Sequence, residues 1–144
     1  MTLVRVSILS LSLAFAGLSV ASCQKDDPQP TTPVVAAQQQ LATGSWRLDE
    51  IKQSGKVTSS TTSIKDRYSL TFRPDGTYTQ TLLADNTAYK GAWMLMNNNA
   101  TLHLVDQKGT SNEYTLANLS ATQLRYTYAT KDGLMEERTF SAQP

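Results

Sequence analysis

The stretch YSLTFRPDGTYTQTL, residues 68–82, decides the fold class. Tyr68, Leu70 and Phe72 alternate with Ser69 and Thr71, and Tyr78 and Leu82 stand against Thr77, Thr79 and Thr81. A period of two puts every second side chain on one face, so each run reads as a strand with a buried face and a wet face. Threonine suits the wet face, because its branched β-carbon fits a pleated surface without hiding much apolar area. Between the two runs stands RPDG, Arg73 to Gly76. Proline supplies a fixed negative φ and glycine tolerates a positive one, which predicts a tight hairpin.

The same rhythm returns in TLHL with Leu102 and Leu104, in EYTL with Tyr114 and Leu116, and in QLRYTY with Leu124, Tyr126 and Tyr128. Turn-forming MNNNA (96–100), DQKGTSN (106–112) and KDG (131–133) punctuate these runs. About eight strands are expected, near residues 44–51, 67–73, 76–83, 91–96, 100–105, 112–118, 123–130 and 134–141. No segment beyond Leu41 sustains the 3.6-residue period of a helix. The prediction is an all-β domain over residues 41–144, an eight-stranded antiparallel up-and-down meander that removes its own edges by closing into a barrel.

TGSWRLDEI near the start of this region, then LTFRPDGTYTQT, GAWML, YTLANLSATQLRYTY and a closing ERTF, resemble the small lipocalin-like domains of bacterial lipoproteins, over about residues 41–142. The resemblance implies that Gly44 and Trp46 close one barrel end and that Arg138, on the last strand, packs over the indole. A cation over an indole face contributes on the order of 0.5 to 2 kcal/mol. Gly91-Ala92-Trp93 repeats the Gly-x-Trp spacing. Glycine permitting a bend or bulge while tryptophan fills core accounts for it, and an internal half-repeat is the alternative.

An eight-stranded barrel is just wide enough to be filled by side chains or to hold one small molecule. The inward positions are mostly bulky, which favours a filled interior or a shallow mouth. Tyrosines are the exception, since a buried phenol needs a partner and suits an amphipathic pocket. Tyr68, Tyr78, Trp93, Tyr126 and Tyr128 are therefore the candidate ligand-binding side chains. Catalytic candidates are poor: His103, the sole histidine, alternates out of phase with Leu102 and Leu104 and is expected to face solvent. Glu136 and Glu137 point to opposite faces of a strand and read as solvated charge. No glycine-rich phosphate loop leads into a helix. The chain is read as a non-enzyme with no cofactor and no metal.

Composition removes further classes. Thirteen Lys and Arg stand against 12 Asp and Glu, a net charge of +1, so no charge excess holds nucleic acid. With one cysteine there is no intrachain disulfide and no paired-thiolate zinc site. Before that cysteine, VSILSLSLAFAGLSVASC (6–23) carries no charge and follows Arg5, the form of a secretory signal. A spanning helix is the alternative, but five serines dilute the run. VASC, Val20 to Cys23, resembles the lipobox of bacterial lipoproteins, which implies a signal peptide over residues 1–22 and lipid on the Cys23 thiol.

QKDD, Gln24 to Asp27, resembles the Bacteroidetes-type lipoprotein export signal. That implies that Lys25, Asp26 and Asp27 direct the chain to the outer face of the outer membrane, the periplasmic face being the alternative. Residues 23–40, rich in proline, small residues and glutamine, read as a flexible tether, with VVAAQQQ too short for a stable helix alone. The expected partners are the lipid bilayer, through acylated Cys23, and either a small apolar or amphipathic ligand at the barrel mouth or, with a filled barrel, an envelope protein or glycan met through loops such as KVTSSTTS (56–63). A monomer is expected.

Overall fold

The structure, a computed structural model, describes residues 33–144. Its elements run α1 (Pro33–Leu41), β1 (Ser45–Gln53), β2 (Lys56–Ser60), a single 3-10 turn (Thr61–Ser63), β3 (Tyr68–Phe72), β4 (Thr77–Leu82), β5 (Ala88–Met96), β6 (Thr101–Asp106), β7 (Ser111–Leu119), β8 (Gln123–Ala129) and β9 (Met135–Gln143). From β3 to β9 each strand pairs antiparallel with the next, and β1 pairs with both β3 and β9. The meander thus closes on itself as an eight-stranded antiparallel barrel, with β2 as one extra strand.

The hairpin read from residues 68–82 pairs Phe72 with Tyr78 and Tyr68 with Leu82. Gly76 takes a φ of 81° at its turn, and the Gly76 N–H donates to the Arg73 carbonyl at 3.1 Å. Gly109 and Gly133 repeat this arrangement at the β6–β7 and β8–β9 turns. Inward side chains from every barrel strand meet in one core, with Trp46, Leu48, Leu70, Phe72, Leu102, Leu124, Tyr126 and Phe140 almost wholly buried. Fully burying side chains of this size stabilises by about 1.5 to 3 kcal/mol each.

Three features depart from the sequence reading. The extra strand β2 lies where a loop was expected. Ser54 (φ 48°) and Gly55 (φ 81°) make the two-residue turn with positive φ that favours a tight hairpin, and Lys56 then pairs back onto Gln53. Secondly, Asp49 is an extra residue in β1: Leu48 faces Phe140 and Glu50 faces Thr139. Arg67 holds this bulge, its Nε donating to the Leu48 carbonyl at 2.6 Å and its Nη2 to the Asp49 carboxylate. Beyond the bulge β1 leaves β3, which pairs only with Ser45 to Arg47, and takes β2 instead.

The third departure is α1, which occupies residues read as part of the tether. A nine-residue helix is marginal in isolation. Here Leu41 is buried completely, and its carbonyl accepts the Trp46 indole N–H at 2.9 Å, so tertiary packing supplies what helix propensity lacks. The signal segment, Cys23, Lys25, Asp26 and Asp27 lie outside the described residues.

Candidate functional site

The two barrel ends differ in chemistry. At the end where β1 begins, α1, Leu41 and Trp46 act as a plug, and a Cβ on Gly44 would stand 2.8 Å from the Gln143 carbonyl oxygen. Glycine there lets the first and last strands approach closely. Trp93 also belongs towards this end: its indole N–H donates to the Arg73 carbonyl at 3.0 Å and its ring packs edge-on against Phe72. It takes no part in the opposite mouth, contrary to its grouping with the tyrosines. Gly91, on the same strand, lies directly opposite Tyr78, and a Cβ there would stand 2.5 Å from the Tyr78 ring. The missing side chain makes room for that ring.

The other end carries a polar cluster inside the wall, built around Arg138. Its Nε donates to Glu136 Oε1 at 2.7 Å, its Nη1 to the Tyr68 hydroxyl at 2.7 Å and its Nη2 to the Tyr128 hydroxyl at 2.7 Å. Tyr128 in turn donates to Glu136 Oε1 at 2.6 Å, and Gln53 Nε2 donates to Glu136 Oε2 at 3.2 Å. The hydroxyls of Tyr68 and Tyr126 are 3.2 Å apart. Tyr114, missing from the sequence-derived binding set, packs against Tyr126 and Tyr128 with ring centroids at 4.5 and 5.3 Å. Its alternation with Leu116 already placed it inward; its membership of this cluster depends on the barrel register.

Two assignments are corrected here. Arg138 does not cover Trp46. Register sets Trp46 opposite Ala142, whereas Arg138 lies opposite Ile51 and Tyr126, near the other end, with its guanidinium over the Tyr68 and Tyr128 rings at 5.8 and 5.3 Å. Glu136 is not solvated: it is 6% exposed, inside the barrel, and Arg138 neutralises it. Glu137 points outward, 3.5 Å from Lys52. His103 lies on the outer face, 3.7 Å from Glu113. Among the described residues no group of three or more His, Cys, Asp or Glu is placed to hold a metal ion.

Burial and charge set the ionisation of this cluster. Burial pushes the Tyr114 phenol up to about 12, and neighbouring Tyr68 adds to that. Tyr126 and Tyr128 are also raised, foremost by burial and then by Tyr68 and by the Glu136 hydrogen bond respectively. For Glu136 burial works upward, but the donors Tyr128, Arg138 and Gln53 outweigh it and hold the carboxyl below its ordinary value. Burial opposes the Arg138 charge, and its phenol and carboxylate neighbours more than restore it. Around neutral pH Arg138 is a cation, Glu136 an anion, and Tyr114, Tyr126 and Tyr128 are neutral phenols.

Where β1 turns away from β3, a recess of about 290 Å³ opens beside this cluster. Ile51, Ile64 and Leu82 make its apolar wall, and Tyr68, Gln80 and Arg138 its polar side. Of the aromatic side chains singled out in the sequence, only Tyr68 lines it; Tyr126 is a buried support, and Tyr128 anchors Arg138. Elsewhere inside the barrel the buried side chains pack against one another as one cluster.

A closed antiparallel barrel with one plugged end and one polar mouth defines the class of small calyx-like β-barrels. A family model described as a lipocalin-like domain matches residues 43–126, and the chain belongs to that family. Among solved structures, a redesigned β-barrel is 16% identical, with a TM-score of 0.44, covering 75% of this chain and 96% of its own. A de novo designed fluorescence-activating β-barrel is also 16% identical, with a TM-score of 0.42, covering 69% and 92%. The comparison with curated proteins found no match.

Proposed function

We propose that this chain is an envelope lipoprotein whose barrel binds one small amphipathic molecule at its open mouth. The observation that carries the reading is the recess itself, apolar on the Ile51, Ile64 and Leu82 side and polar on the Tyr68, Gln80 and Arg138 side. Binding sites combine apolar lining with placed polar groups that fix orientation; in this recess the polar groups, Lys65, Asp66, Tyr68, Gln80 and Arg138, make up the larger part of the lining. At about 290 Å³ the recess is at the lower bound of pocket sizes, so the ligand is small.

The lipobox-like VASC and the following QKDD support anchoring through acyl chains on Cys23 and display on the outer surface of the outer membrane. Two or more buried chains suffice for stable attachment, at about 0.8 kcal/mol per methylene. Native mass spectrometry of the full chain, extracted from its host's envelope, tests the binding. The expected result is a co-purifying small molecule that is lost in Leu82→Trp, which fills the recess. A wild-type chain that carries no adduct and gains none from host lipid and metabolite extracts would refute it. Intact mass of the same preparation reports cleavage before Cys23 and its acylation, and an unmodified, uncleaved Cys23 would remove the anchoring half of the proposal.

A further inference from the structure

The donors and acceptors at the mouth do not balance, and the imbalance defines the ligand. Arg138 spends Nε on Glu136 and one N–H each of Nη1 and Nη2 on Tyr68 and Tyr128. One N–H on each Nη meets no acceptor among the described residues. Tyr68 and Tyr126 share one hydrogen bond between two hydroxyls, so one of their two protons is left over. The Glu136 carboxylate, the one anion inside the cluster, already accepts from Tyr128, Arg138 and Gln53. Arg138 is left with donors to spare, whereas Gln80, also lining the recess, carries both a carbonyl acceptor and an NH2 donor. A ligand seated against the free Arg138 N–H groups must bring acceptors of its own, because a desolvated donor left without a partner is costly.

Its charge, by contrast, balances. Arg138 is matched by Glu136, and the two charged residues at the rim, Lys65 and Asp66, are one of each sign. An anionic head group would lie close to a carboxylate that the barrel cannot move away, without an uncompensated cation to receive it. We infer that the mouth selects an uncharged molecule, an apolar ring or short chain bearing a carbonyl-type acceptor, over the corresponding carboxylate. A volume of about 290 Å³ admits about ten non-hydrogen atoms, at roughly 30 Å³ each as in liquid water. The inference rests on the binding function proposed above and adds the ligand's class.

Three probes of nearly one shape separate the terms: acetophenone (neutral, with an acceptor), benzoate (anionic, with acceptors) and cumene (neutral, without an acceptor). Each is titrated into the full chain, methyl-labelled and held in lipid nanodiscs, and Kd is read from the methyl shifts of Ile51, Ile64 and Leu82. Acetophenone is expected to bind at least ten-fold more tightly than either of the others. In Glu136→Gln, which keeps the side chain's shape and removes the anion, benzoate is expected to gain at least ten-fold on acetophenone. Benzoate binding wild type as tightly as acetophenone, or Glu136→Gln leaving their ratio unchanged, would overturn the charge argument while leaving the binding function standing. Cumene equalling acetophenone would overturn the acceptor requirement. Recess methyls that respond to no probe would remove the binding function and this inference with it.

Discussion

Replacing Arg138 by methionine removes three hydrogen bonds and leaves Glu136 charged inside the barrel. Removing one partner of a buried ion pair costs about 3 to 5 kcal/mol, because the other charge is left without compensation. Side-chain exposures of 25% for Arg138 and 8% for Glu136 let water recover part of that, so the expected cost is about 3 kcal/mol. Glu136→Gln, which leaves the guanidinium partly hydrated, is expected to cost about 2 kcal/mol. If the two groups act as one unit, the double variant costs about 3 kcal/mol rather than the sum, a coupling of about 2 kcal/mol. Urea unfolding followed by circular dichroism measures all four chains, and the Arg138→Met midpoint in a thermal scan should fall by roughly 15 °C. Additive single costs, within about 0.5 kcal/mol, would refute the description of these residues as a mutually dependent pair.

Other outcomes follow from the same geometry. In a spectrophotometric titration, Tyr78, Tyr114, Tyr126 and Tyr128, four of the six tyrosines, should ionise later in the native chain than in denaturant. A raised phenol pKa stabilises fully below the unfolded value and less as pH climbs past it, so wild type should lose stability above about pH 10. Glu136 has the opposite sign: its lowered pKa stabilises above the ordinary carboxylate value and is lost on acidification, so below about pH 4 wild type should lose more stability than Glu136→Gln. Leu41→Ala, which opens a cavity beneath α1, should cost about 2 to 5 kcal/mol and shift Trp46 fluorescence to the red; an unchanged spectrum would argue against the plug. Gly91→Ala would press a Cβ into the Val105 carbonyl oxygen and put it 2.5 Å from the Tyr78 ring, an overpacking that should cost about 1 to 3 kcal/mol or more in the same urea assay.

Alternation and turn chemistry were local enough to be read along the chain. A period of two and a glycine after Pro-Asp act within a few residues, which is why the hairpin at residues 68–82 and the order of the later strands were legible. The missed strand β2 also had a local signal, Ser54-Gly55, in a segment whose serines and threonines resembled a loop. By contrast, α1 has no strong signal of its own, because its stability comes from burying Leu41 beneath the barrel and binding Trp46.

The sequence by itself determined an all-β chain whose inward faces are rich in aromatic side chains, because those properties repeat at a spacing the backbone imposes. Only the tertiary structure decided which inward residues meet. The bulge at Asp49 and the pairing of β9 against β1 carry Arg138 away from Trp46 and into the phenols of Tyr68 and Tyr128, and they turn Glu136 from an apparent surface charge into its buried partner. Barrel closure sets contacts between residues far apart in the chain, 70 positions between Tyr68 and Arg138 and 83 between Gln53 and Glu136, and a strand's own periodicity carries no information about register across such a distance.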